Sequence, residues 1–332
     1  GASALGLAYL IAQSRQVATC AEEALVEGLG ADYVEQLDAA PTPAELAVPW
    51  RKLVYPFRMR EPRVTVHKNI AYDDGTGRRG LLDVYVPADT PPQGAPVLLQ
   101  VHGGGWTIGN KDQQGIPLMQ PLAAKGWVCV AINYRLSPKH AFPAHVIDVK
   151  KAIAWIKEHI EAYGGDPDYV AITGGSAGGH LSMMLGYSDD PGLEGDSGNK
   201  GVSSRVSAVV NIYGVYDMTT QIAKDSDSVS NFLQGKSIDE APELYRQSSP
   251  RFHLDKTDPP TLILHGTIDE LVPIGQADAL AAHLKRLKIP HAYGRLDGWP
   301  HTMDLAKPVN DYCQAMMDRF FAKHIPLPQK KH

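Results

Sequence analysis

Apolar residues fall into short runs and helical repeats that alternate along most of the chain. Continuous apolar runs rich in β-branched residues predict buried strands at 97–101, 127–133, 169–173, 206–213, 261–265 and 292–296. Apolar residues at helical spacing predict helices at 144–163, 274–287 and 307–322. This alternation predicts an α/β fold, with a mostly parallel central sheet covered by helices on both faces.

The segments outside this alternation suggest how the chain is divided. Strand-like runs at 63–67 and 81–86 flank a turn-rich stretch and predict an antiparallel opening hairpin. Before them, residues 1–60 predict an N-terminal helical cap segment, with helices at 18–30 and 43–55. The remaining residues, 61–325, predict one α/β domain, and polar sequence at 218–249 predicts a cap insertion within it.

Composition excludes several classes of protein. The chain has 332 residues, 43% of them hydrophobic, and a net charge of −5, so it lacks the basic footprint of a nucleic-acid binder. Its three cysteines, Cys20, Cys129 and Cys313, have no CxxC spacing and indicate neither a zinc site nor a disulfide framework. We expect Cys129 to pack as a small apolar strand residue, and we expect no metal or cofactor.

The first dozen residues are almost wholly apolar but lack the positive region of a signal peptide. They are too few for a bilayer span, which takes about 20 apolar residues. Two interpretations remain: a first helix packed on a cap, or the end of a longer membrane anchor. A cytoplasmic location is therefore expected, with membrane association as the alternative.

The strongest chemical motif is Gly174-Gly175-Ser176-Ala177-Gly178, which lies between a β-branched strand and an apolar helical stretch. This context is the one that a nucleophile elbow requires, with glycines where side chains would clash. N–H groups and the dipole at the start of the helix favour negative charge beside Ser176. Similar stretches also occur in ordinary loops, so the motif predicts a nucleophile only together with partners elsewhere.

A second glycine run, His102-Gly103-Gly104-Gly105-Trp106, directly follows the predicted strand at 97–101. Three consecutive glycines are costly in chain entropy and indicate either a flexible turn or an oxyanion hole with closely approaching N–H groups. No GxxxxGK[ST] sequence occurs and no GxGxxG opens a helix after a strand, which excludes a phosphate loop. The glycine run precedes the elbow, as in lipases and esterases.

A serine nucleophile needs a base and an orienting acid. In folds that carry a nucleophile elbow, the chain order is the serine, then the acid, then the histidine. Asp269 follows a predicted strand, at the edge where open parallel sheets bind ligands. His301 is the only histidine in the loop between the last strand and the closing helix. Glu270 and Asp297 are rival acids. Glu270 would point elsewhere on the same turn, and Asp297 lies only four residues from His301. His301 would take the proton from Ser176, and Asp269 would fix its tautomer.

Four ordered motifs resemble those of the hormone-sensitive-lipase-like (bacterial family IV) esterases of the α/β-hydrolase fold. They lie at 102–106, at Tyr134-Arg135-Leu136-Ser137-Pro138, at 174–179 and at 265–269, and the resemblance covers about residues 63–325. It implies an oxyanion hole made by the N–H groups of Gly104, Gly105 and Ala177, with Gly103 shaping the loop. It also implies a cap built from the N-terminal helices and the insertion at 218–249.

The chain departs from this family pattern at three positions. Gly175 precedes the nucleophile where many relatives carry Asp or Thr, His180 stands where Asn is common, and Trp106 ends the glycine run where Phe is frequent. The last two departures are shared with carbohydrate-ester and formamide hydrolases, so they leave the substrate open.

Further residues near the predicted strand ends are candidates for the substrate pocket, although aromatic residues in such places more often belong to the core. These candidates are His102, Gly103, Trp106, Tyr134, Gly175 and Tyr213. We also expect Arg135, after a buried strand, and Asp148, on the next helix, to form a buried or half-buried pair.

The sequence therefore predicts a serine carboxylic ester hydrolase that cleaves short to medium acyl esters through an acyl-enzyme. Its expected partner is a small-molecule ester, with no nucleic acid and with a homodimer left open. The alternatives are an amidase or formamidase, an acetyl or feruloyl carbohydrate-ester hydrolase with the same triad, and a hydrolase-fold binding protein that does not catalyse.

Overall fold

A computed structural model describes residues 16–17, 19–36, 61–88, 93–195, 201–220 and 226–325. The predicted helix at 43–55 and the apolar first dozen residues lie outside these ranges. The predicted helix at 18–30 is present as α1 (19–29), which ends at Gly30 in the left-handed conformation, with a φ of 97°.

The strands of the described residues form one eight-stranded sheet in the order β1-β2-β4-β3-β5-β6-β7-β8. They are β1 (Val64–Ala71), β2 (Leu81–Pro87), β3 (Ala95–Val101), β4 (Val128–Ile132), β5 (Gly165–Gly175), β6 (Ala208–Ile212), β7 (Thr261–Gly266) and β8 (His291–Leu296). The pairs β1–β2 and β2–β4 are antiparallel, and all other neighbours are parallel. The predicted antiparallel hairpin and mostly parallel sheet are both confirmed.

Helices connect these strands. They are α2 (Ile116–Ala124), α3 (Ala144–His159), α4 (Ala177–Tyr187), α5 (Asp227–Phe232), α6 (Pro242–Gln247), α7 (Gly275–Leu287) and α8 (Lys307–His324). The sequence did not predict α2, whose two prolines, Pro117 and Pro121, obscure its helical pattern. The helix predicted at 144–163 is shorter than expected, since its last four residues form a separate 3-10 turn.

Two apolar layers pack on opposite faces of the sheet because successive strand residues point to opposite sides. On one face, α3, α4 and α7 pack with Val97, Leu99 and Val101 of β3. On the other face, α1, α2 and α8 pack with Leu98 of the same strand. The parallel strands are buried on both faces, which explains their continuous apolar runs.

The segment between β6 and β7 contains α5 and α6, at the place where the sequence predicts a cap insertion. Phe232, at the end of α5, is fully buried and stacks on Trp106 with ring centroids 4.5 Å apart. The insertion therefore packs against the glycine-rich loop after β3. Its role as a cap stays a prediction. No helix in the described ranges has the length and apolar character needed to cross a bilayer.

Candidate active site

The predicted site residues gather at one edge of the sheet. Loops that follow β3, β5, β6, β7 and β8 carry the glycine run, Ser176, Tyr213, Asp269 and His301, respectively. Because β3 and β5–β8 are parallel, their carboxyl ends lie at the same edge. The fold thus brings together residues that are far apart in the chain: His102 and His301 are separated by 199 positions.

Ser176 occupies a strained turn between β5 and α4. Its φ of 57° and ψ of −121° are rare for a residue with a side chain, as expected of a nucleophile elbow. Its N–H donates to the carbonyl of Ile212 at 2.9 Å, which anchors the turn to the end of β6. A Cβ atom on Gly178 would lie 2.1 Å from the carbonyl oxygen of Val101, so only glycine allows α4 to begin this close to β3.

The glycine loop leaves backbone donors available. Gly104 and Gly105 have φ angles of 109° and 56°, in the left-handed region that favours glycine. The N–H of Gly103 instead donates to Oε1 of Gln114 at 2.7 Å. Within the described residues, the N–H groups of Gly104, Gly105 and Ala177 donate no hydrogen bond to another protein group. These three are the groups that the family resemblance assigns to an oxyanion hole.

Both ends of the glycine loop rest on buried partners. His102 is stacked on Tyr134 with ring centroids 4.2 Å apart, and the Tyr134 hydroxyl donates to the His102 carbonyl at 2.8 Å. Burial lowers the pKa of His102 to about 4, so its ring is neutral. Beyond the loop, Lys111 forms a buried ion pair with Asp83 at 2.7 Å. His102 therefore anchors the start of the loop, and Lys111 anchors the chain five residues after its end.

His301 and Asp269 are in direct contact. Nδ1 of His301 donates to Oδ2 of Asp269 at 2.6 Å, and the side chain of His301 is 9% exposed. Burial alone would raise the pKa of Asp269. Hydrogen bonds from His265, His301 and the Val272 N–H outweigh burial and hold this pKa well below its usual range. Asp269 is thus an ionised acceptor that fixes the orientation of the His301 ring.

The two rival acids lie elsewhere. Glu270 is exposed, and Asp297, also exposed, accepts a hydrogen bond from the Thr267 hydroxyl at 3.0 Å. Neither carboxylate has a hydrogen bond or an ion pair with His301 among the described contacts. Of the three candidates, Asp269 is the one that contacts the histidine.

Tyr213 lies between the elbow and the histidine. Its ring packs against His301 with centroids 4.6 Å apart, and a Cβ atom on Gly175 would lie 2.8 Å from its hydroxyl. The hydroxyl donates to Asp304, a residue that the sequence analysis missed. Burial raises the pKa of Asp304, and it raises that of Tyr213 well above its usual range. This pair ties the loop after β6 to the turn that carries His301.

Comparison with known proteins identifies the family. The BD-FAE family model matches residues 82–284. The chain belongs to the BD-FAE family. It is 39% identical to a probable carboxylic ester hydrolase, LipM, of Mycobacterium tuberculosis, over 91% of this chain and 72% of that protein. It is 37% identical to the esterase LipQ of the same organism, over 86% of this chain and 69% of LipQ.

A solved structure of a truncated carbohydrate esterase from gut microbiota shares the fold of this BD-FAE chain. The two have a TM-score of 0.68 and 26% identity, over 77% of this chain and 96% of the other. Together with the relatives, this likeness confirms the α/β-hydrolase fold and the resemblance to hormone-sensitive-lipase-like esterases. The chain is an enzyme of ester hydrolysis.

Two of the three departures from the family pattern contact each other in this BD-FAE enzyme. Nε1 of Trp106 donates to Nδ1 of His180 at 3.2 Å, and Nε2 of His180 donates to the carbonyl of Ser248 at 2.8 Å. Burial lowers the pKa of His180 to about 4, which keeps it neutral and able to accept from Trp106. Trp106 and His180 therefore link the glycine loop, α4 and the segment after α6.

The third departure also has a partner. Gly175 lies under Tyr213, and its Cβ position would come within 3.1 Å of the hydroxyl oxygen and two ring carbons of that side chain. An Asp or Thr at position 175 would displace Tyr213, so Gly175 and Tyr213 fit each other.

The remaining pocket candidates lie deeper in this BD-FAE enzyme. His102, Tyr134 and Trp106 are at most 3% exposed and support the glycine loop from below. Contact with substrate stays a prediction for all six candidates. Within the described ranges, no cluster of three or more His, Cys, Asp or Glu side chains is placed to hold a metal ion.

Proposed function

We propose that the chain is a serine carboxylic ester hydrolase in which Ser176, His301 and Asp269 form the triad. The observation that carries this proposal is the 2.6 Å contact between His301 and Asp269, at the same sheet edge as the strained elbow of Ser176. Tyr213 contacts both parts, since it packs on His301 and against Gly175, the neighbour of Ser176.

The first half of the reaction forms an acyl-enzyme. Oγ of Ser176 attacks the ester carbonyl carbon while Nε2 of His301 accepts its proton. Asp269, ionised and hydrogen-bonded to Nδ1, stabilises the imidazolium that results. The N–H groups of Gly104, Gly105 and Ala177 hold the negative oxygen of the tetrahedral intermediate. The bond to the alcohol oxygen then breaks, and His301 gives that oxygen its proton.

The second half releases the acid. Water attacks the acyl carbon while His301 accepts one of its protons, and the same three N–H groups hold the new tetrahedral oxyanion. When the bond to Ser176 breaks, His301 returns the proton to Oγ. The ester and one water are consumed, an alcohol and an acid are released, and the enzyme regains its starting state.

The surface of this edge favours an apolar acyl or alcohol group. Large apolar side chains are exposed on three of its loops: Ile108 at 69%, Ile268 at 55%, Leu271 at 68% and Leu305 at 73%. The Ile108 side chain lies against Gly104, since a Cβ atom there would be 3.0 Å from it. Ile268 and Leu271 flank Asp269. Contact between these apolar side chains and an acyl chain would favour esters of short to medium acyl chains.

A carbohydrate ester is the second candidate substrate. The observation that favours it is the match to the gut-microbiota carbohydrate esterase over 96% of that chain. The same triad would cleave the bond to its acetyl or feruloyl group. The two kinds of substrate would therefore be distinguished by the side chains around the opening of the site.

A substrate panel tests the proposal. We expect p-nitrophenyl acetate, butyrate and hexanoate to be cleaved with a higher kcat/KM than acetylated or feruloylated sugars. Ile108→Ala is expected to lower kcat/KM for esters with longer acyl chains more than for the acetate, because each buried CH₂ contributes about 0.8 kcal/mol. A higher kcat/KM for the sugar esters, with no dependence on acyl length, would favour the carbohydrate-ester hypothesis instead.

A further inference from the structure

A second histidine touches the proposed acid. His265, at position five of β7, is fully buried, and its Nε2 lies 3.1 Å from Oδ2 of Asp269. Oδ2 is the oxygen that also accepts the hydrogen bond from His301. The other oxygen, Oδ1, accepts from the N–H groups of Leu271 at 2.9 Å and Val272 at 2.8 Å. The carboxylate is thus held by four donors.

The acceptors around His265 determine which of its ring nitrogens carries the proton. Nε2 also lies 2.8 Å from the carbonyl oxygen of Val272. A carbonyl and a carboxylate can only accept, so Nε2 carries the proton and its N–H is shared between them. Nδ1 is buried with no hydrogen-bond partner among the described residues. A buried lone pair costs less than a buried unpaired N–H, so the tautomer with its proton on Nε2 fits this position.

The position of His265 constrains the acid in a way that the backbone donors do not. The two backbone N–H groups bind Oδ1 and leave Oδ2 to the two histidines. The N–H of His265 reaches Oδ2 from β7, a strand inside the sheet. It also binds the carbonyl of Val272, so one ring joins both ends of the turn at 269–272.

We propose that His265 is a positioning residue that orients Oδ2 of Asp269 toward His301 and disperses part of the carboxylate charge. The inference rests on the proposed triad. His265 touches no substrate and acts through Asp269. This role also explains why a histidine, and not an apolar residue, occupies a fully buried strand position.

Two substitutions separate this role from simple packing. His265→Leu keeps the volume and removes the donor, whereas His265→Gln keeps an N–H near the position of Nε2. We expect His265→Leu to lower kcat by about 10- to 100-fold, because small displacements of catalytic groups have effects of this size. KM should stay within about twofold of wild type. His265→Gln should recover most of the loss.

The pH profile gives a readout that packing alone would not move. Without the second donor, the Asp269 charge acts more strongly on protonated His301, so the acid limb of kcat/KM should move to higher pH by roughly 0.5 unit. Asp304 and Tyr213 also face His301, and Tyr213 lies near His265, with ring centroids 6.4 Å apart. Both are unchanged in these variants, so a difference between His265→Leu and His265→Gln reports on the N–H donor.

Val272→Ala is the control for a loosened turn, since it removes buried packing and keeps both backbone groups. We expect it to lower the Tm without moving the acid limb. The inference is overturned if His265→Leu keeps the wild-type kcat and acid limb, or if His265→Gln and His265→Leu lose kcat equally. It is also overturned if Val272→Ala moves the acid limb as His265→Leu does. Fluorophosphonate labelling of Ser176 in wild-type enzyme is measured alongside. Its absence would count against the triad itself, whereas labelling with an unmoved limb counts against His265 alone.

Discussion

The ion pair between Arg135 and Asp148 offers a quantitative test of how the loop after β4 is held. Nε of Arg135 lies 2.9 Å and 3.0 Å from the two carboxylate oxygens, and Nη2 lies 2.6 Å from Oδ1. The backbone N–H of Arg135 donates to Oδ2 at 2.8 Å. The side chains are 20% and 0% exposed, so the predicted half-buried pair is confirmed. The perturbation is Arg135→Ala.

The expected cost follows from this burial. Removing one partner of a buried pair costs about 3–5 kcal/mol, because the other charge is left uncompensated. Asp148 keeps one backbone donor and Arg135 is partly exposed, so we expect about 2–4 kcal/mol. The pair between Arg205 and Asp189 is the matched control: its side chains are 57% and 67% exposed at 2.8 Å. For Arg205→Ala we expect less than about 1 kcal/mol.

Urea unfolding of wild type and both variants measures these free energies of unfolding. We expect a lower midpoint for Arg135→Ala with an unchanged m value. Tyr134, the neighbour of Arg135, supports His102, so the same variant should also lose esterase activity. A cost for Arg135→Ala within about 0.5 kcal/mol of that for Arg205→Ala would refute the reasoning.

Four further substitutions, one of them a control, test the site and the pH dependence. Asp269→Asn should lower kcat by about 10³- to 10⁴-fold in steady-state kinetics, since His301 would lose the partner that fixes its tautomer; a loss below about tenfold would argue against this acid. Gly103→Ala places a Cβ atom 2.6 Å from the Gly175 carbonyl and should lower kcat/KM at least about tenfold. Gly275→Ala, with no atom within 4 Å, should retain activity, and equal losses would contradict the steric argument. Burial raises the pKa of Asp258 to about 7, so its ionisation destabilises the fold as pH rises from about 4 to 7. Asp258→Asn should therefore raise the Tm at pH 8 and change it little at pH 4, and an equal shift at both would be inconsistent with this cause.

Much of the fold was predictable because its parallel strands are buried on both faces and leave continuous apolar runs. The elbow and the glycine loop were equally visible, since each is a local motif next to a strand. The contact between Asp269 and His301 followed from chain order and sheet topology. For residues at the carboxyl edge of the sheet, a position directly after a predicted strand was therefore sufficient to predict where they lie.

The supporting residues could not be predicted in the same way. Gln114, His265 and Asp304 reach the site through tertiary packing, and their types have many ordinary uses. The hydrogen bond between Trp106 and His180 joins residues that are 74 positions apart. The only signal was that both departed from the family pattern, which did not indicate that they touch. Direct contacts of this kind depend on side-chain orientation, which periodicity does not determine.

The identity of the nucleophile is the central claim, and active-site labelling tests it most directly. Wild-type enzyme and Ser176→Ala are treated with a fluorophosphonate, digested and analysed by mass spectrometry, with p-nitrophenyl butyrate hydrolysis measured in parallel. We predict one adduct, on the peptide carrying Ser176, with neither adduct nor activity in the folded variant. An unlabelled Ser176 in active wild-type enzyme, or full activity in Ser176→Ala, would contradict the account.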